Sequence, residues 1–273
     1  MKKESLEKIQ AKLELATRKW WFFLIFILIQ FIIPPYASKG FEWSEWGIVT
    51  GEILGNSLVF SCTSLYPIFK VIPIIWVISM IFLRNRVTRL FSIYVAITYV
   101  LFAFLQSIAF TEKYGLGIIT INLIVFLVVA AFWFWEAIAK KNDFTPRKDP
   151  LWRYWVVPFA FLAFWFPLNP ETAMPDFNPL FLLTNGAGLY FCMMTPVYLA
   201  ILTLYYPRVN IATLRVTSLV GTIIGFYNIM VNFFMNPSVL WWNGVLHMPL
   251  LTISIYALAL SFKKRSIEEP KKG

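Results

Sequence analysis

Nearly all the lysines and arginines of this 273-residue chain fall in five short segments, and a pair of long apolar stretches separates each segment from the next. The segments are residues 1–19 (Lys2, Lys3, Lys8, Lys12, Arg18, Lys19), 84–89 (Arg84, Arg86, Arg89), 139–153 (Lys140, Lys141, Arg147, Lys148, Arg153), 207–215 (Arg208, Arg215) and 263–273 (Lys263, Lys264, Arg265, Lys271, Lys272). Of the 24 basic residues only Lys39, Lys70 and Lys113 lie elsewhere. The intervening connections at 37–56, 111–115, 169–179 and 236–238 hold Lys39 and Lys113, and Lys70 sits inside an apolar stretch. Short cytoplasmic loops concentrate Lys and Arg. The alternation therefore predicts cytoplasmic N- and C-termini and an even number of spans.

Composition agrees. With 59% hydrophobic and 14% charged residues and a mean hydropathy of +0.68, the chain has too little polar surface to coat a soluble globule. It reads as an all-α polytopic membrane protein of the plasma membrane, with the lipid bilayer as its first partner. The net charge of +10 lies beside hydrophobic spans, where anionic headgroups are nearer partners than nucleic acid; nucleic-acid binding is not expected. The apolar run at 20–36 ends in Pro34-Pro35-Tyr36 without a small-residue cleavage pattern, so it reads as a signal anchor. Cys62 and Cys192 lie in apolar segments and read as unpaired buried thiols.

A helix needs about 20 apolar residues to cross the hydrocarbon core. The candidates are 20–36, 57–83, 90–110, 116–138, 154–168, 180–206, 211–235 and 239–262, which gives eight transmembrane helices with a short first and fifth. Indoles favour the interface, and in this arrangement Trp20, Trp21, Trp133, Trp135, Trp152 and Trp155 mark the inner boundary and Trp43, Trp46, Trp165, Trp241 and Trp242 the outer one. Residues 1–19 read as a cytoplasmic amphipathic helix, with Leu6, Ile9, Leu13 and Ala16 on one face and Glu4 and Lys8 as an i, i+4 pair. The chain then divides into 20–138 (helices one to four), a basic linker at 139–153, 154–262 (helices five to eight) and a basic tail at 263–273.

The halves resemble each other. Lys19-Trp20-Trp21 matches Arg153-Tyr154-Trp155, and Asn56 precedes Pro67-Ile68-Phe69 as Asn185 precedes Pro196-Val197-Tyr198. Arg89, Ser92 and Gln106 match Arg215, Ser218 and Asn232, with Asn122 opposite His247. Two parallel four-helix repeats would follow, an arrangement that transporters use with the solute path at the repeat interface.

Polar side chains within lipid are costly unless they face other helices or a wet cavity. The spans contain few: Lys70, Gln106, Asn122, Asn228, Asn232, Asn243 and His247. Gln106, Asn122, Asn232, Asn243 and His247 lie within roughly 12 Å of the outer end of their spans at about 1.5 Å per residue. Lys70 lies between Pro67 and Pro73, which weaken the helix near a charge. Gly221, Gly225, Asn228, Asn232 and Asn236 share a face of span seven, which serves helix packing as well as solute contact. Glu136, at the inner end of span four, is expected to pair with Lys140.

Absent motifs narrow the chemistry. One histidine and two separated cysteines exclude bis-His haem ligation, His-rich metal sites and a Cys-x-x-Cys centre, and no phosphate loop, His-Glu-x-x-His or Gly-x-Ser-x-Gly occurs. No cofactor and no metal are expected. The leading reading is a small-solute transporter or permease component with an outward-opening polar cavity lined by Lys70, Gln106, Asn122, Asn228, Asn232 and His247. Two readings stay beside it: a membrane-embedded enzyme acting on a lipid-linked or apolar substrate near the outer leaflet, with His247 or Lys70 as acid or base, and a non-catalytic subunit with membrane protein partners.

Overall fold

An apolar solvent obliges the backbone to bond to itself, and the Leu-, Ile- and Phe-rich stretches do so as helices. The computed structural model describes residues 3–146 and 150–263; Lys2, Arg147, Lys148 and the basic tail after Lys263 lie outside the described residues. The helices are α1 (Lys3–Arg18), α2 (Trp20–Ile32), α3 (Trp46–Gly55), α4 (Tyr66–Leu83), α5 (Thr88–Leu105), α6 (Thr120–Ala139), α7 (Val156–Trp165), α8 (Phe181–Thr184), α9 (Phe191–Tyr205), α10 (Ile211–Ile229) and α11 (Pro237–Phe262). A π-helical segment, Met230–Met235, continues α10.

Among the described residues five helical segments are long and apolar enough to cross a membrane: Leu58–Arg86, α5, α6, Ile211–Met235 and α11. Two bent pairs, α1 with α2 at 64° and Phe181–Leu189 with α9 at 95°, raise the number to seven. The fifth expected span contains α7, which has only 10 residues. The chain is thus a predominantly helical, membrane-embedded protein of several passes.

One region departs from the all-helical expectation. The third span stops at Leu105 instead of 110, and β2 (Ile108–Thr111) and β3 (Gly115–Ile118) form a hairpin joined by β1 (Tyr36–Ala37) into an antiparallel sheet of order β1-β3-β2. Gly115 carries a φ of +67°, a left-handed conformation that suits glycine at the turn. Helix α3 covers the sheet with Val49 and Ile53, and Gly117 leaves the room that Ile53 fills. Lys113 bonds Glu45 at 2.7 Å, which holds the Glu45 carboxyl below its usual value and the Lys113 ammonium above its own.

The centre of the bundle pairs α5 with α6 and α10 with α11, and α9 packs against α7, α10 and α11. An aromatic seam of Phe91, Tyr99, Trp133, Phe191 and Tyr198 fills it, with Tyr99 Oη and Thr195 Oγ1 3.0 Å apart and Trp133 Nε1 donating to Thr217 Oγ1 at 3.1 Å. Trp133, expected at the inner boundary, is fully buried, and Thr217 supplies its indole a partner inside the bundle. Helix α4 is peripheral, and Ile68, Val71, Ile74, Ile75, Ile78 and Phe82 remain exposed, as a lipid-facing surface requires.

The described parts of the basic segments meet at one end of the bundle. Asn85 bonds Asp143, Asp143 pairs with Arg208 at 3.1 Å, Arg215 reaches α1 and Ser261, and Tyr206 donates to the Lys263 carbonyl. The connections poor in basic residues meet at the other end through Lys39 with Glu112, Lys113 with Glu45, and Trp242 with Pro167. Burial works against ionisation of Asp143, but hydrogen bonds from Thr145 and Asn85 and the Arg208 charge outweigh it and hold the carboxyl below its usual 3.8. Its stabilisation is thus present above the ordinary carboxylate range and lost as pH falls through the lower folded value. The melting-temperature difference between wild type and Asp143→Asn should be full at neutral pH and vanish at strongly acidic pH; a constant difference would contradict the assignment.

Candidate functional site

Helices α10 and α11 converge at the end remote from the basic segments, and there the regular ladder breaks. Met230–Met235 adopts π geometry, which inserts an extra residue per turn and is frequent at functional sites. Asn228 Nδ2 donates to Ile224 O at 2.9 Å and to Cys192 Sγ of α9 at 3.7 Å. Asn232 Nδ2 donates to Asn228 O at 2.7 Å, and Asn243 Nδ2 of α11 donates to Asn232 Oδ1 at 2.8 Å. His247 Nδ1 lies 2.7 Å from Asn243 O; a carbonyl accepts only, so Nδ1 carries the proton. Asn228, Asn232, Asn243 and His247 thus form one hydrogen-bonded chain across α9, α10 and α11. His247 lies on the buried face of α11 with Gly244, Leu250 and Ser254. Gly221 and Gly225 serve packing, against Ser254 and Leu251 respectively.

The other expected site residues stand apart from this chain. Lys70 is 0% exposed; its ammonium donates to the Phe164 carbonyl and lies 4.3 Å from the Phe164 ring centroid. Phe164 is in the last turn of α7, whose free carbonyls favour a cation. Asn185 completes the cap by donating to Trp165 O and Phe166 O at 2.8 and 3.0 Å. Gln106 Oε1 accepts from Phe191 N at 2.8 Å, capping α9 where the chain bends by 95°. Asn122 is half-buried on α6 and makes no side-chain hydrogen bond among the described residues; it lies one turn from Phe126, which stacks on Phe191 at 4.2 Å. Ser57 Oγ donates to Leu54 O at 3.1 Å.

The bent segment before α9 is buried from Gly186 to Leu189 and packs on α4. A Cβ at Gly188 would meet the Phe69 backbone. Gly188→Ala is therefore expected to cost about 1–3 kcal/mol, visible as a lower melting temperature; an unchanged value would show that the segment does not press on α4.

The richest polar network lies at the basic end, built from residues distant in the sequence. Glu136 is 0% exposed and is not paired with Lys140, which adopts left-handed backbone geometry at the end of α6. Its carboxylate instead accepts from Asn142 N at 2.7 Å and Asn210 Nδ2 at 2.8 Å. Asn210 also caps α10 through Ala212 N and Thr213 N and exchanges hydrogen bonds with Gln10 of α1. Trp135 Nε1 donates to Gln10 Oε1 at 2.6 Å. Beside this network a cleft of about 220 Å³ is lined by Glu7, Gln10, Glu14, Lys141 and Arg208. Helix α1 does carry the expected Glu4–Lys8 pair, yet the residues it buries are Gln10 and Thr17.

No group of three or more His, Cys, Asp or Glu side chains able to hold a metal ion occurs among the described residues. No family model, curated protein or solved structure matches the chain.

Proposed function

We propose that this protein is a small-solute transporter or permease component of the plasma membrane, with both termini cytoplasmic, eight membrane-crossing segments and a polar site opening outward. The observation that carries the reading is the coincidence, in one half of the bundle, of a π segment, a span bent by 95° and a part-buried amide–imidazole chain in which Asn232 and His247 are the buried members. Discontinuous helices that present backbone and polar side chains to a solute are the common construction of membrane transporters. Prolines 73, 196 and 249 lie inside α4, α9 and α11 and lower the cost of bending them. Duplication of a four-helix unit is in keeping with the order of elements: each half has a short helix, a helix with an irregular lead-in, and a packed helix pair. In this arrangement Lys70 and Gln106 hold the α7 and α9 ends that frame the site.

The test is a thermal-shift screen of small solutes against the detergent-purified protein, since a ligand that binds only the folded state raises its melting temperature. At least one solute class should stabilise the wild type and fail to stabilise Asn232→Leu. A screen in which no class does so contradicts the reading. The subunit reading draws on the peripheral α4, whose exposed apolar face suits a partner helix as well as lipid; it predicts co-purification of a second chain from native membranes.

A further inference from the structure

A count of donors and acceptors in the α9–α11 cluster identifies what a solute there must supply. Asn228 uses both its amide hydrogens, on Ile224 O and Cys192 Sγ. Asn232 spends one on Asn228 O, Asn243 spends one on Asn232 Oδ1, and His247 spends its Nδ1 proton on Asn243 O. Because these bonds end on backbone carbonyls or follow from one that does, the amide orientations and the imidazole tautomer are fixed by chemistry. Left over, with no partner among the described residues, are Asn228 Oδ1, Asn243 Oδ1 and, in the neutral ring, His247 Nε2. All three are acceptors. The remaining donors are the second amide hydrogens of Asn232 and Asn243, and Asn232 is itself buried.

Charge points the same way. No carboxylate bonds the His247 ring among the described residues, and an imidazolium in an apolar span without one is costly. The cation nearest in sequence on these helices, Arg215, belongs to the basic end and is bonded to Ser261 and α1. Lys70 is committed to the Phe164 carbonyl. Nothing in the cluster compensates a negative charge, whereas unpaired acceptors inside a membrane gain from any N–H or O–H that reaches them.

Resting on the transporter reading, we propose that the α9–α11 cluster takes a small solute that presents N–H or O–H donors and carries no negative charge, with His247 Nε2 as its principal acceptor. The probes are methylammonium, glycerol and acetate, titrated into the purified full-length protein. Saturable binding of methylammonium or glycerol is expected, weakened about tenfold in His247→Phe, partly restored in His247→Gln, which offers a carbonyl acceptor, and unchanged in Thr252→Val on the exposed side of α11. The Gln variant keeps the test informative if the Phe variant fails to fold. Binding of acetate that depends on His247 would overturn the solute class while leaving a transporter. Absence of saturable binding by either donor probe, or binding indifferent to His247→Phe and His247→Gln, would overturn the assignment, whereas the transporter reading falls only if every class fails in the thermal-shift screen.

Discussion

Arg215→Met is expected to lower the stability of the solubilised protein by about 2–4 kcal/mol and to release α1 from the bundle. Arg215 is 3% exposed, and its guanidinium ties three elements together. Nη1 donates to Glu14 O at 3.0 Å and Thr17 Oγ1 at 2.9 Å on α1, while Nε and Nη2 donate to Ser261 Oγ at 3.2 Å and Ser261 O at 2.6 Å near the end of α11. The Phe262 ring lies 4.9 Å from the guanidinium carbon. A methionine keeps the packing volume and removes every donor, so the Glu14 and Ser261 carbonyls lose a charged partner. Hydrogen exchange is the sensitive readout: amides of residues 3–18 should lose protection while those of α5 and α6 keep theirs. Unchanged protection of α1 would mean that Leu6, Ile9 and Leu13 hold it without the arginine.

Asn210→Ala should cost about 3 kcal/mol, combining the loss of an N-cap with the unpaired Glu136 and Gln10 groups it leaves. Two substitutions separate the contributions. Aspartate is as good an N-cap as asparagine, but at this position it would set a second carboxylate where Asn210 Nδ2 now lies 2.8 Å from Glu136 Oε2. Asn210→Asp should therefore fail to restore stability at neutral pH, and adding Glu136→Gln to it should recover much of the loss. If Asn210→Asp alone restored the wild-type melting temperature, capping would be the whole role of this residue and the link to Glu136 would be incidental.

The alternation of basic segments with paired apolar stretches was legible because it depends on composition, and the two sets of connections do gather at opposite ends of the bundle. The Asn228, Asn232, Asn243 and His247 group was legible for a related reason: residues four apart on a helix share a face, and α10 and α11 are sequence neighbours. What escaped depended on contacts distant in the chain. Glu136 has Lys140 one turn away, but the left-handed backbone at Lys140 ends the helix, and the carboxylate meets Asn210, 74 residues on. Lys70 finds its acceptor only because α7 stops at Trp165 and exposes a carbonyl. The π segment has no composition of its own, and strands of four residues are too short for their alternation to stand out within apolar runs.

The central claim, a polar site that opens away from the basic face, is tested most directly by placing single cysteines at Asn228, Asn243 and His247 in a protein lacking Cys62 and Cys192. A membrane-impermeant thiol reagent is then applied from one side of oriented vesicles at a time. Labelling is expected from the side opposite the basic segments, with protection by a bound solute. Labelling only from the basic side would contradict the claim.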